Sequence, residues 1–155
     1  MKKENKRLAE EQILDWTVQL LSAVNYMHSR RVLHRDLKAR FYLKFDKNYN
    51  YEQNSKVIII FRNIFLKNEV IKIGDFGISR ILQGTMDMAS TFTGTPYYMS
   101  PEVLKHEGYN SKSDVWSIGC LLYEMCTLQH AFEGQGLMGV MYKIVEGKVP
   151  ELPSE

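Results

Sequence analysis

A mainly α-helical α+β fold with one short β-hairpin is predicted by three features of this chain. Helical periodicity runs over residues 10 to 28 and returns twice after residue 110. Two short apolar runs, NIFLKN and EVIKIGDF, flank a turn at Lys67-Asn68-Glu69. An aperiodic stretch from Gly84 to Glu102 separates that hairpin from the later helices. At 155 residues and 45% apolar composition, the chain has enough material for one core and no need of a second domain.

In the first helix Ile13, Trp16, Leu20, Val24 and Met27 recur at steps of three and four, one apolar face ending near Ser29-Arg30-Arg31. The segment RVLHRDLKAR that follows alternates too poorly for a strand, and its packed charges mark a functional loop held against something buried. The Gly84 to Glu102 stretch is rich in Thr, Ser, Met and Gly and too long for an ordinary connection. Ser111-Lys112-Ser113-Asp114 has the form of a capping box, and Val115, Ile118, Leu122 and Met125 give the apolar face of the helix it opens. Leu137, Val140, Met141, Ile144 and Val145 predict a last helix, stopped by Gly147, Pro150 and Pro153. No internal repeat occurs.

Lys and Arg number 20 against 18 acids, a formal charge of +2, which argues against nucleic-acid and membrane-surface partners. Cys120 and Cys126 fit neither a zinc ribbon nor a redox pair, so an intracellular, cytoplasmic setting is expected, with both as small apolar helix residues. The opening MKKENKRLAEEQ has no apolar leader core, and no apolar run reaches the ~18 residues of a membrane span.

Three motifs stand in order: His34-Arg35-Asp36-Leu37-Lys38, Asp75-Phe76-Gly77 and Ser100-Pro101-Glu102, with Gly94-Thr95-Pro96-Tyr97-Tyr98-Met99 before the last. Singly each is weak. Together they resemble the catalytic loop, the metal-binding triplet and the end of the activation segment of protein kinases. Phosphoryl transfer spreads negative charge over the phosphoryl oxygens while a hydroxyl is aligned for attack, so carboxylates, a cation and a metal are the parts it needs.

The resemblance implies that Asp36 accepts or orients the substrate hydroxyl proton. Lys38 places a cation beside the transferred phosphate, as in the serine/threonine class. Asp75 holds the Mg²⁺ of Mg·ATP, a hard cation suited to carboxylate oxygen. Phe65 resembles the side chain beneath the adenine ring. His34 is expected to be structural, packed beneath Phe76, with Gly77 completing the triplet. Arg35 could pair bidentately with a phosphate on the activation segment, placed there by an upstream kinase. Thr91 is the foremost acceptor and Ser90 and Thr93 the alternatives; Thr95 would instead hydrogen-bond Asp36 and Lys38 and shape the substrate groove. Asp114 would accept hydrogen bonds from the catalytic loop, and Glu102 would pair with an arginine further along the family's domain.

EEQILDWTVQLL, KIGDFGISR, STFTGTPYYMSPE and KSDVWSIGCLLYEMCTLQHAF bring the resemblance closest to the NIMA-related kinases. That family implies protein Ser/Thr substrates, with cytoplasmic, centrosomal, ciliary or nuclear locations. Residues 1–155 then correspond to a partial kinase domain, its helical C-terminal lobe, without the N-terminal lobe that clamps the α- and β-phosphates. On that ground the chain by itself is expected to be inactive, and a non-catalytic, pseudokinase-like binding module is the rival function.

The pattern breaks at Phe41, where the family has the asparagine that binds the second metal and an aromatic ring cannot ligate Mg²⁺. The expected continuation begins at Asn63, so residues 41–62 form an insertion of 22 residues, 15 of them Phe, Tyr, Asn, Ile or Lys, with no Gly, Ala or Pro. Those five types have AT-rich codons, and the composition points to a retained or mispredicted intron, with a genuine loop insertion as the alternative. Transcript reads that carry the whole insert throughout would defeat the intron hypothesis.

Overall fold

A computed structural model describes residues 8–38, 63–67, 70–74 and 96–152. The first helix, α1 (Glu10–Ser29), carries Glu10 and Glu11 in its first turn, where carboxylates suit the positive end of the helix dipole. Ile13, Trp16, Leu20, Val24 and Met27 are all buried, so the predicted stripe is the observed one. At its end Arg31 takes the left-handed conformation, φ 59°, which turns the chain back toward the motif loop.

The strands β1 (Ile64–Lys67) and β2 (Val70–Ile73) pair antiparallel, with Ile64 opposite Ile73 and Phe65 opposite Lys72. The pleat sends Ile64 and Ile71 into the core and leaves Phe65, Val70 and Lys72 exposed. The Ile71 amide donates to Gln19 Oε1 of α1 at 2.8 Å, a bond that sets the height of the hairpin on the helix.

Among the described residues three further helices follow: the short α2 (Pro101–Leu104), then α3 (Ser111–Thr127) and α4 (Gly136–Glu146). Two expectations for α3 need correction. The capping box is built by Asn110 and Ser113, not by Ser111 and Asp114: Asn110 accepts from the Lys112 amide at 2.7 Å, and Ser113 Oγ accepts from the Asn110 amide. The buried face also lies to one side of the expected one, since Ile118, Cys120, Leu121 and Met125 are buried while Val115 is exposed and Leu122 half-buried. Counting apolar residues misplaced the face because Asp114, Ser117 and Glu124 lie on it, each with internal hydrogen bonds that offset their burial. In α4 Val140 and Ile144 are buried, Leu137 and Met141 half-buried and Val145 exposed, and Gly147 ends the helix at φ 76°.

Helix α3 belongs to two apolar clusters. One joins it to α1, the hairpin and Leu37; the other joins it to α4 through Cys120, Phe132, Val140 and Ile144. Beside the second lies an open apolar groove of about 310 Å³ between Trp116, Phe132, Val149 and Leu152. Burial, with a contribution from Glu124, pushes the Cys120 thiol up to about 12, which keeps it an apolar filler and not a nucleophile. No helix among the described residues is long and apolar enough to cross a membrane.

Candidate active site

The loop after α1 is pinned at two residues. His34 and Leu37 are buried, while Arg35 is exposed and Asp36 and Lys38 are partly exposed. His34 Nε2 lies 3.1 Å from the Gly74 carbonyl, and its Nδ1 lies 3.3 Å from the Asp36 amide. A carbonyl can only accept and an amide can only donate, so the ring proton sits on Nε2 and Nδ1 is the acceptor. Both ring nitrogens are thus engaged with backbone, which suits a fixed strut and not a proton carrier.

Lys38 Nζ donates to both oxygens of Asp36, at 2.7 and 2.9 Å. Buried Asn63, at the foot of β1, donates from Nδ2 to the Asp36 carbonyl at 2.5 Å and to its Oδ2 at 3.0 Å. The Asn63 backbone carbonyl accepts from the Gly74 amide at 2.9 Å. One small region therefore holds Asp36, Lys38, Asn63 and the residue that precedes Asp75. Phe65 projects exposed from β1 with its ring over Gly74, so near that a Cβ there would stand 2.8 Å from the ring.

Beneath the loop, Asp114 is fully buried and accepts four hydrogen bonds. The His34 amide (3.0 Å) and His28 Nε2 (2.8 Å) reach Oδ2, while the Arg35 amide (3.0 Å) and the Tyr109 hydroxyl (2.5 Å) reach Oδ1. Burial raises the Asp114 carboxyl pKa, but the bonds from His28, Tyr109 and the two amides outweigh it and hold it below its ordinary 3.8. Burial and the Asp114 charge push the Tyr109 phenol up, so it stays a donor. Arg35 adopts φ 68°, a left-handed conformation that costs about 1–2 kcal/mol outside glycine and that these two amide bonds hold. Replacing Tyr109 by Phe removes one donor to a buried charge and should cost about 1.5 kcal/mol in urea unfolding.

The second polar cluster lies where the GTPYYMSPE motif meets α3. The Tyr98 hydroxyl donates to Glu124, and Ser117 Oγ donates to the Tyr98 carbonyl at 2.9 Å. Glu102 is half-buried and accepts from Ser113 Oγ at 2.5 Å. Burial opposes its ionisation, yet the Ser113 hydroxyl and its own backbone leave the pKa below the ordinary 4.5, so the carboxylate is partnered within this chain. Glu124 behaves oppositely, because burial outweighs Tyr98 and His130 and raises it above 4.5. Its contribution to stability is therefore full below pH 4.5 and declines as pH rises through the raised folded value. Glu124→Gln should flatten that decline in thermal midpoints recorded from pH 4 to 8.

Of the residues singled out from sequence, Asp75, Phe76, Gly77, Ser90, Thr91, Thr93 and Thr95 lie outside the described residues, as does the insertion 41–62. The structure brings together His34, Arg35, Asp36, Lys38, Asn63 and Asp114. It places Glu102 apart from them, at the opening of α3. Sequence reasoning missed His28, Tyr109, Glu124 and His130. Glu124 had left a signal, a single acid in the apolar run LLYEMC on the same helical face as Asp114.

The protein kinase domain family matches residues 59–152. This chain belongs to the protein kinase family. Among its relatives, serine/threonine-protein kinase Nek11 of Mus musculus is 52% identical over 98% of this chain and 21% of the relative. Nek11 of Homo sapiens is 50% identical over 98% and 20%, and Nek4 of Mus musculus is 44% identical over 94% and 16%. The resemblance to the NIMA-related kinases therefore holds. The chain spans about a fifth of the length of the Nek11 proteins it matches. In fold it is similar to the crystal structure of Rad53 1-466 in complex with AMP-PNP, with TM-score 0.64 and 28% identity over 94% of this chain and 30% of that one. The predicted kinase-like α+β fold, helical with a short hairpin, is the one found.

Proposed function

We propose that this kinase-family chain supplies the hydroxyl-facing and metal-facing side of a serine/threonine protein kinase, which transfers the γ-phosphate of ATP to Ser or Thr hydroxyls of proteins. The observation that carries the proposal is the convergence of Asp36, Lys38 and Asn63 across 27 residues of sequence. The Asp36 carboxylate orients the substrate hydroxyl and takes its proton. Lys38, now bridging the Asp36 oxygens, has a cation placed to compensate charge on the oxygens being transferred. With its amide nitrogen turned to Asp36, Asn63 keeps a carbonyl oxygen for a hard cation, so the donor set fits Mg²⁺ together with Asp75. Mg·ATP, when bound, supplies the electrophilic phosphorus and the charge that the metal neutralises. The exposed Phe65 ring would offer an apolar face to a nucleobase. Thr95 shapes the peptide groove, while Arg35 reads a phosphate on Thr91, or on Ser90 or Thr93.

Residues 41–62 are proposed to be an insertion into this unit. In support, the family match begins only at residue 59, after the catalytic loop and most of the insert. The test assays the full-length product of the gene with Mg·ATP and a Ser/Thr peptide. Asp36→Asn should lower turnover about 100- to 10,000-fold, the usual worth of a positioned base. Turnover unaffected by that substitution would overturn the proposal, and peptide binding without any turnover would favour a non-catalytic binding module.

A further inference from the structure

The Tyr97–Tyr98 turn lies within the motif that ends at Glu102, and its rings rest against His130, near the end of the KSDVWSIGCLLYEMCTLQHAF segment. His130 stacks on Tyr97 with ring centroids 3.7 Å apart and planes 16° apart, and meets Tyr98 edge-on at 6.2 Å. Its Nδ1 lies 3.5 Å from Glu124 Oε1, on the carboxyl group that also accepts from the Tyr98 hydroxyl, without hydrogen-bond alignment. One imidazole therefore meets both tyrosines and the acid to which Tyr98 donates.

The segment that carries His130 is fixed from below. Leu128 ends α3 in the left-handed conformation at φ 58°, and two residues past His130 the buried Phe132 stacks on Trp116 at 5.4 Å. Gly134 then lies so close to α4 that a Cβ on it would come within 2.4 Å of the Gly139 backbone. Position 130 is thus set by α3, through its end at Leu128 and its Trp116, and by α4. The turn above carries Met99 N–H to the Pro96 carbonyl at 3.1 Å, Ser117 Oγ to the Tyr98 carbonyl and the Tyr98 hydroxyl to Glu124, and the His130 ring adds the stacking contact on Tyr97.

We propose that His130 is a positioning residue for the peptide groove, a fixed post against which its ring holds the Tyr97–Tyr98 turn. The groove rests on the kinase function proposed above, whereas the placement of the turn by His130 does not. The ring acts mainly through its face. Phenylalanine should therefore replace it, and a polar side chain of similar length should not.

Hydrogen exchange of residues 96–100 in the full chain, read by mass spectrometry without nucleotide, tests the placement. His130→Ala and His130→Gln should speed exchange there about 2- to 12-fold, the worth of an aromatic pair, while α1 stays protected. His130→Phe should restore the wild-type rate. If His130→Ala loosens α1 as well, Tyr97→Ala is read in its place, and it should speed exchange at residues 98–100 by a similar factor. Unchanged exchange in His130→Ala, exchange in His130→Phe as fast as in His130→Ala, or full protection in Tyr97→Ala would each overturn the proposal. In the full-length gene product, His130→Ala should raise KM for a protein substrate by a similar factor, with KM for ATP and kcat unchanged and His130→Phe at the wild-type value. A loss confined to kcat would also overturn it. Failure of the kinase proposal itself shows separately, as turnover indifferent to Asp36→Asn.

Discussion

Asp114→Ala is expected to remove about 3 to 5 kcal/mol of folding stability, the range seen when one member of a buried charged network is deleted. Four donors converge on that carboxylate, and two of them, the amides of His34 and Arg35, are backbone groups that cannot turn away to find water. With the acceptor gone, the left-handed Arg35 backbone loses the bonds that hold it, and the loop carrying Asp36 should relax with it. Asp114→Asn should cost less, about 2 kcal/mol, because one carbonyl oxygen remains while the new amide faces donors. The pH dependence has a definite sign. Since the folded pKa of Asp114 lies below 3.8, its stabilisation is present above that value and is lost as pH falls through the depressed one. Urea midpoints from pH 2 to 6 should fall more steeply on the acid side for the wild type than for Asp114→Asn. Parallel curves would show that the charge is not what the four donors hold.

The first helix was legible in the sequence because every residue on its inward face is apolar, so a 3.6-residue period marks burial directly. The hairpin was legible as two short apolar runs about a turn, and its pleat sets Ile64 and Ile71 inward. In α3 the same counting failed by part of a turn, since Asp114, Ser117 and Glu124 share the buried face. Those polar residues are what tie the helix to the loop of His34 and Arg35 and to the Tyr98 turn, so the deviation from apolar patterning marked the candidate site. Asp36, Lys38 and Asn63 could be named from motif spacing once the insert was set aside. His28, Tyr109 and His130 could not, because each acts through a contact distant in sequence or has no motif of its own. His28 and Asp114, for example, are 86 residues apart.

Deleting residues 41–62 should stabilise the chain and leave the Asp36–Asn63 pair in place. In the present chain those residues meet across a separation of 27, and removal of the insert reduces it to the five found in the family pattern. Loop closure scales as (3/2)RT ln n, so the shorter connection should gain about 1.5 kcal/mol. The stretch Val57 to Phe61, apolar and β-prone, leaves with the insert, so solubility should rise as well. A second gain concerns rate. A connection of five residues constrains the Asp36–Asn63 distance more tightly than one of 27, and a displacement of ~1 Å in a catalytic array can cost about 100-fold. The deleted form of the full-length gene product should therefore turn over faster than the form that carries the insert, by up to that factor, with urea unfolding as the independent measure. A deletion that lowers the unfolding midpoint would mean that residues 41–62 pack as a genuine part of the fold, and the junction at Arg40 would then be misplaced.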